Sequence, residues 1–454
     1  MMGNIAEYIA SYATSIKYKD IPPEVVHKTQ GLLIDTLGCA IGGYSSEPAK
    51  IARRIAGKVS QCDMPATIIG SGQKSTPELA TFANGIMMRY LDFNDGFGAK
   101  TGGHPSDNFA PVLTCADAVH ASGREVIVAA VLAYEVFCRL GDQVELAPRG
   151  FDYAVNGVIS CAVAAGKLLG LSQAQMVQAI NLAITPNISL WQTRVGEVSM
   201  WKGAAMPNAA RNAVFAAMMA KEGMTGPSPI FEGRYGLFKA VTGPFQLAEF
   251  GGNGRPFRIM DATIKKYPCG QVAQTAIDAA LQLRSKISGV DEIAEINIET
   301  FASGKAVMAD DAEKWHPETR ESADHSSPYV VAVALMYGSV EQSHFEDEYR
   351  RNHTLLDLMQ KIKVNDVDEL TRMYPQASPN RVEIVTKSGK KLSVMVPYHH
   401  GHYLNPLNDR EIEEKFNSLT RTLLTPAQSK ELVSLIWNLE KLDDASKIMQ
   451  LLRI

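Results

Sequence analysis

Residues 126–140 and 158–169 constrain the fold of this chain more than any other part of it. The first stretch is almost continuously apolar, broken by Glu135 and Arg139 four residues apart. The second carries Ala162, Ala164, Ala165 and Gly166. Segments this apolar belong in an interior, and small residues let neighbouring helices approach closely. No stretch reaches the roughly 18 uninterrupted apolar residues of a membrane span. An all-α body with a buried, alanine-rich interior follows. Pro22-Pro23-Glu24 opens a largely buried helix through Gly42, with proline placed where a first turn tolerates it. Ser172-Gln-Ala-Gln175 has the pattern of a capping box opening residues 176–184. Residues 208–221, rich in Ala and Met, form a helix stopped at Gly223.

The period changes after about residue 264. Residues 294–300 and 381–386 alternate with period two, and the latter pair with residues 392–396 in a hairpin turning at Gly389. Helical segments are expected at residues 330–335 and 354–362, and again from residue 409 to 454. The expected architecture is mainly α: a large all-α domain, residues 1–263 plus 398–454, with a smaller α+β domain, residues 264–397, inserted in it.

At 454 residues, 46% hydrophobic and 21% charged, the chain suits a soluble globular protein larger than one small core. Its net charge of −4 and pI near 6.2 give no electrostatic footprint for nucleic acid or an anionic membrane. An anionic ligand must therefore be held by local cations. The six scattered cysteines have no C-x-x-C spacing, which argues against zinc and iron–sulfur sites. No secretory signal is evident, so a cytoplasmic location is expected.

Three segments could carry chemistry. Tyr90-Leu-Asp92-Phe-Asn94-Asp95 is followed nine residues later by His104 within Gly-Gly-His-Pro-Ser-Asp107-Asn108. Asp and Asn commonly cap helices and form turns, but His104 and the apolar flanks point to a buried polar site. Arg194 and Lys202, eight residues apart among glycines, could bind carboxylates, although either taken alone is more often a solvated surface cation. Trp201 and Met200 suggest packed surroundings for Lys202. The third segment, Thr319-Arg-Glu-Ser-Ala-Asp324-His325-Ser-Ser-Pro-Tyr329, leads into an apolar helix that Asp324 could merely cap. Two other stretches are set aside. His399-His-Gly-His402 lacks a following carboxylate or cysteine at metal-ligand spacing. Gly251-Gly-Asn-Gly254 lacks the strand and helix of a dinucleotide loop.

Taken together, LDFND…GGHPSDN, R-x-GEVSMWKG, KKYPCGQ-x-AQTAIDAAL from Lys265, TRESADHSSPY and GHYLNPLNDREIEEKF resemble the MmgE/PrpD family, in the expected order along essentially the whole chain. The family includes 2-methylcitrate dehydratase, cis-aconitate decarboxylase and iminodisuccinate epimerase. The resemblance implies a helical domain with a smaller lid, a homodimer, and chemistry with no metal or other cofactor. It implies Asp92, His104 and Lys202 as catalytic residues. Arg194, Asn94, His325, Tyr329, Cys269 and Gln271 are implied in substrate binding. The chain departs from the family pattern at Gly96, where threonine is common. It also has no histidine after Pro268-Cys-Gly-Gln271, and it has Tyr153 where some dehydratases have histidine. Cys269 becomes a candidate in place of the missing imidazole.

The resulting expectation is a cofactor-free lyase acting on a small di- or tricarboxylate. Dehydration of a hydroxy-acid such as 2-methylcitrate or citrate is the first reading. Epimerisation of an imino or amino dicarboxylate and cis-aconitate-type decarboxylation are alternatives, and a non-catalytic carboxylate-binding protein is a third class.

Overall fold

The computed structural model describes residues 4–59 and 61–454. The chain is mainly α-helical, and its buried apolar residues sort into two large clusters. One gathers residues 6–264 with residues 412–452, and the other gathers residues 267–396. Among the described residues no helix is long and apolar enough to cross a membrane.

The two constraining stretches lie at the centre of the first cluster, in helices Gly123–Gly141 and Ala154–Leu168. The first opens on a capping box, in which Ser122 accepts the Glu125 N–H and Glu125 accepts the Ser122 N–H. The second packs against both Gly123–Gly141 and helix Ala205–Lys221. A Cβ at Gly157 would fall 2.2 Å from Met206 Sδ. The close approach therefore needs glycine, and a methyl group there would cost about 1–3 kcal/mol through overpacking. Glu135 does more than pair with Arg139 at 2.8 Å. Fully buried, it also accepts the N–H groups of Gly251 and Arg258, at 3.0 and 2.7 Å. The glycine-rich residues 251–254 are thus a turn pinned to the helical body. Helix Pro23–Gly42 and the Ser172 capping box form where the sequence places them.

The second cluster covers a four-stranded sheet. Strand Ile293–Thr300 lies between Ile362–Asp366, to which it runs parallel, and Asn380–Thr386, to which it runs antiparallel. Asn380–Thr386 then pairs with Lys391–Val396 across the turn at Gly389. Helices Gln274–Arg284 and Ser327–Tyr337 pack on one another, and the former lies on the sheet. One expected element is corrected. The helix expected over residues 354–362 ends at Met359, and Ile362–Asp366 is a strand. Its burial alternates from Ile362 to Val364, which is too short a signal to outweigh the helical period before it.

The chain passes between the clusters at residues 264–267 and returns after residue 396. Helix Asp409–Thr420 then packs on Pro23–Gly42. Lys415 of that helix donates to the carbonyls of Phe93 and Lys265, at 2.7 and 2.8 Å, and pairs with Asp35 at 2.6 Å. The returning segment thereby ties together the two backbones that carry the polar cluster described next.

Candidate active site

The last turn of helix Pro77–Tyr90 carries a buried arginine, Arg89, and three residues after it the backbone turns left-handed at Asp92, with φ of 49°. That conformation is unusual outside glycine, and aspartate is one of the few side chains that tolerate it. The turn brings the Asp92 carboxylate back onto Arg89, whose Nη1 donates to Oδ1 at 2.6 Å. Lys265 Nζ donates to the same Oδ1 at 2.7 Å and to the Asp92 carbonyl at 2.8 Å. Oδ2 faces across the cleft, 3.6 Å from Lys202 Nζ and 3.3 Å from His325 Nδ1. Lys202 and His325 both reach Asp324 Oδ1, at 2.5 and 2.6 Å. All of these groups are buried.

Burial alone would raise the Asp92 carboxyl, but Arg89, Lys265 and Lys202 outweigh it and hold the group well below the usual range. Asp324 is likewise raised by burial and brought below its ordinary value by Lys202 and by the hydrogen bond from His325. Both are ionised and stand among Arg89, Lys202 and Lys265; burial lowers the Lys265 ammonium, and Asp92 opposes that shift. The imidazoles go the other way. Burial, with Arg89 and Lys265, pushes His104 well below its normal value. Burial and then Lys202 push His325 down to about 4. Each imidazole is neutral at pH 7 with a defined tautomer. His104 Nδ1 lies 2.6 Å from the Asp95 carbonyl, which can only accept, so Nδ1 carries the proton. His325 Nδ1 donates to ionised Asp324 for the same reason. Nε2 of both rings keeps its lone pair, and that of His104 lies 3.6 Å from Asp92 Oδ1. The arrangement can hold an anion on the Lys202 and Lys265 ammonium groups and offers it neutral bases.

The rest of the 92–108 loop forms a frame. Asn94 donates to Ser106 at 2.9 Å and to Asp107 at 3.0 Å. Asp95 accepts from Tyr134 and from the Ser106 N–H, at 2.8 and 3.0 Å, while burial pushes its carboxyl up to about 7. Burial likewise raises Asp107, to about 6, although it accepts from Tyr153 at 2.9 Å.

Several expected site residues sit elsewhere or differently. Tyr329 lies in the second apolar cluster, and its hydroxyl donates to the His344 carbonyl at 2.5 Å. It does not join the charge cluster. Arg194 is buried, but its carboxylate partner is internal. It donates to Asp152 at 2.7 Å and to the Lys202 carbonyl at 3.2 Å, above the Tyr153 ring. It therefore braces the backbone of Lys202. Met200 and Trp201, expected to pack around Lys202, are each 48% exposed, and only Lys202 of that turn points inward. Cys269 is buried near the cluster, and burial pushes its thiol up, so it is no thiolate. Gln271 donates to Thr263 at 2.9 Å, and its Oε1 would lie 2.5 Å from a Cβ on Gly96. Glycine at position 96 thus makes room for Gln271. Asp324 does not cap helix Ser327–Tyr337. Ser326 does, accepting the Tyr329 N–H at 3.1 Å.

Sequence reasoning passed over Arg89, Lys265 and Asp324 as individual site residues. Arg89 could have been found from its spacing of three to Asp92. Lys265 carried no signal beyond its motif, because its partner is 173 residues away. Asp92, Asp324 and His325 are spaced so that they could hold a cation. Lys202 Nζ, 2.5 Å from one carboxylate and 3.6 Å from the other, puts an ammonium in that position. The 399–402 histidines are each engaged otherwise: His399 with Gln271 at 3.0 Å, His400 with Glu411 at 2.6 Å, and His402 with the Leu404 N–H at 3.2 Å.

Fold and cluster together define a class: a mainly α-helical protein with a buried site of cations, carboxylates and neutral imidazoles. The MmgE/PrpD N-terminal domain matches residues 7–249 and the MmgE/PrpD C-terminal domain matches residues 267–441, and the chain belongs to this family. It is 24% identical over 469 residues to cis-aconitate decarboxylase of Homo sapiens, covering 100% of this chain and 95% of that protein. It is 27% identical over 441 residues to 2-methylcitrate dehydratase of Cupriavidus necator, covering 88% and 85%. With 2-methylcitrate dehydratase of Escherichia coli K12 the identity is 26% over 432 residues, with the same coverage.

Proposed function

We propose that the chain is a metal-independent lyase acting on a small di- or tricarboxylate, with dehydration of a hydroxy-acid such as 2-methylcitrate or citrate as the first reading. The observation that carries it is the cluster itself, in which the ammonium groups of Lys202 and Lys265 meet Asp92 and Asp324 beside two neutral imidazoles. A substrate carboxylate is held by Lys202 and Lys265, which also stabilise the negative charge that builds on its oxygens. His104 Nε2 takes the proton from the carbon next to that carboxylate. The C–H electrons form the new double bond, and the hydroxyl on the adjoining carbon departs. The imidazolium returns its proton to that hydroxide, completing water. Asp92 favours the transient imidazolium, and Asp324 orients His325.

Decarboxylation is the second reading, favoured by the match to human cis-aconitate decarboxylase over the full chain. There the bond between the CH₂ carbon and CO₂ breaks, its electrons form a new double bond as the existing one shifts, and a proton is delivered to the far carbon of that allylic unit, which itself carries a carboxylate. Epimerisation is a third reading: it needs an acid–base group on each face of the carbon, a pair that the neutral imidazoles of His104 and His325 can supply, while burial keeps the Cys269 thiol protonated. The segment with its own apolar cluster, residues 264–397, serves as a lid that carries Asp324 and His325 and excludes water when closed. Exposed Ile188, Leu190, Met200 and Trp201 suit a homodimer contact. The six free cysteines suit the cytoplasm.

Incubating the protein with citrate, 2-methylcitrate, cis-aconitate and iminodisuccinate in heavy water, followed by proton NMR, tests this reading. A new olefinic signal from citrate, or collapse of the 2-methylcitrate methyl doublet to an allylic singlet, supports dehydration, and loss of CO₂ from cis-aconitate supports decarboxylation. Deuterium at the α-carbon without loss of water or CO₂ supports epimerisation. Tight binding without turnover of any of the four would make the protein a carboxylate binder. Loss of activity with a chelator, restored by a divalent metal, would overturn the metal-independent mechanism.

A further inference from the structure

Lys314 is fully buried, and its Nζ has no hydrogen-bond partner among the described residues. An ammonium withdrawn from water without a partner is costly, and proteins rarely keep one without a use. Its surroundings are specific. Lys314 ends the short turn Ala312–Lys314, and its carbonyl accepts from the hydroxyl of Ser326, the residue after His325. The same segment rests on the loop that carries Lys202. The Gly196 N–H donates to Asp311 at 3.3 Å, and Thr319 donates to the Val198 carbonyl at 3.4 Å. Lys314 is thus held between the His325 and Lys202 segments. After burial, the charges that act on it most are Lys202, Asp311 and Asp324. Two of these belong to the cluster, where Asp92 Oδ2 and Asp324 Oδ2 are also without hydrogen-bond partners.

Resting on the carboxylate reading above, we propose that Lys314 is a further binding residue of this site. It takes a second carboxylate of the di- or tricarboxylate, remote from the one held by Lys202 and Lys265. The lysine then sets a preference for substrates with more than one carboxylate and leaves the reacting carbon to the other residues. Burial without a partner disfavours its charged form until the ligand arrives, so Lys314 lowers the stability of the empty protein in favour of binding.

The probe is tricarballylate, a tricarboxylate with no hydroxyl group to eliminate. Its binding to wild type and Lys314→Met is measured by calorimetry, together with melting temperatures with and without it. The expected result is a Kd raised about 10- to 100-fold in Lys314→Met, with an unliganded melting temperature equal to or above that of wild type. Equal Kd values would overturn this inference alone. A variant that melts lower than wild type, or does not fold, would assign Lys314 a structural job and overturn it as well. Failure of wild type to bind tricarballylate would sink the carboxylate reading and this inference with it.

Discussion

His104 and His399 are both buried imidazoles on loops, and burial keeps both of them neutral. Their company differs. His104 spends one nitrogen on the Asp95 carbonyl and keeps a lone pair 3.6 Å from an ionised aspartate that three cations surround. His399 spends both nitrogens: Nδ1 donates to the His400 carbonyl at 3.1 Å, and Nε2 accepts from Gln271 at 3.0 Å. Lys265 depresses both rings, so His399 lies behind the same lysine without facing its carboxylate partner. Residue type and burial therefore do not distinguish a site from packing. A lone pair left free beside a buried charge cluster does.

The sharpest way to break the comparison is to remove each imidazole. His104→Ala is expected to lower kcat by about 10²- to 10⁴-fold, the range of lost acid–base catalysis. Lys202→Met should lower it by about 10²- to 10³-fold, as loss of an oxyanion-stabilising group does. Both should keep the wild-type circular dichroism. Next in size is Gly96→Ala. Its Cβ would meet Gln271 2.5 Å away, and the expected loss is about 1–3 kcal/mol in denaturant unfolding. Gln271→Ala in the same chain should restore most of it, which would show that Gly96 and Gln271 exchange the same space.

A smaller effect concerns the support behind His104. The folded Asp95 carboxyl keeps its proton up to about pH 7, whereas an unfolded one releases it near pH 4. Between those values the folded state binds more protons, so this group makes stability fall as pH rises through the window. Asp95→Asn removes that dependence. Its melting temperature relative to wild type should be higher at pH 8 than at pH 5, and an unchanged difference would contradict the assignment. The smallest effect is expected of His399→Asn. It should leave kcat/KM within a few-fold of wild type, because its hydrogen bonds are structural.

Much of this was legible in the sequence, and the limits have physical causes. The helical body could be read because apolar runs and capping boxes act over a few residues, as at Ser172. The hairpin at Gly389 was equally local. Strand Ile362–Asp366 was missed because its parallel partner, Ile293–Thr300, lies far away in the chain and leaves no mark near residue 362. Asp92, His104 and Lys202 stood out as polar groups in apolar or glycine-rich settings, and the structure brings Asp92 and Lys202 within 3.6 Å. Asp324 stays open between a cap and a site residue in the sequence, because local sequence cannot say which way a carboxylate turns at a helix junction. Arg194 and Tyr329 illustrate the converse. Their motif positions are right for a site, yet Asp152 and the His344 carbonyl claim their polar atoms.

The central claim is that this cluster moves a proton at a carbon next to a carboxylate, with His104 as the group that carries it. Solvent deuterium followed by proton NMR, for wild type and His104→Ala on whichever substrate of the four-compound panel wild type accepts, measures this directly. The account predicts deuterium at that carbon in the wild-type reaction or its reverse, and a loss of at least about a hundredfold in rate with His104→Ala. Deuterium incorporation at the wild-type rate in His104→Ala would contradict it.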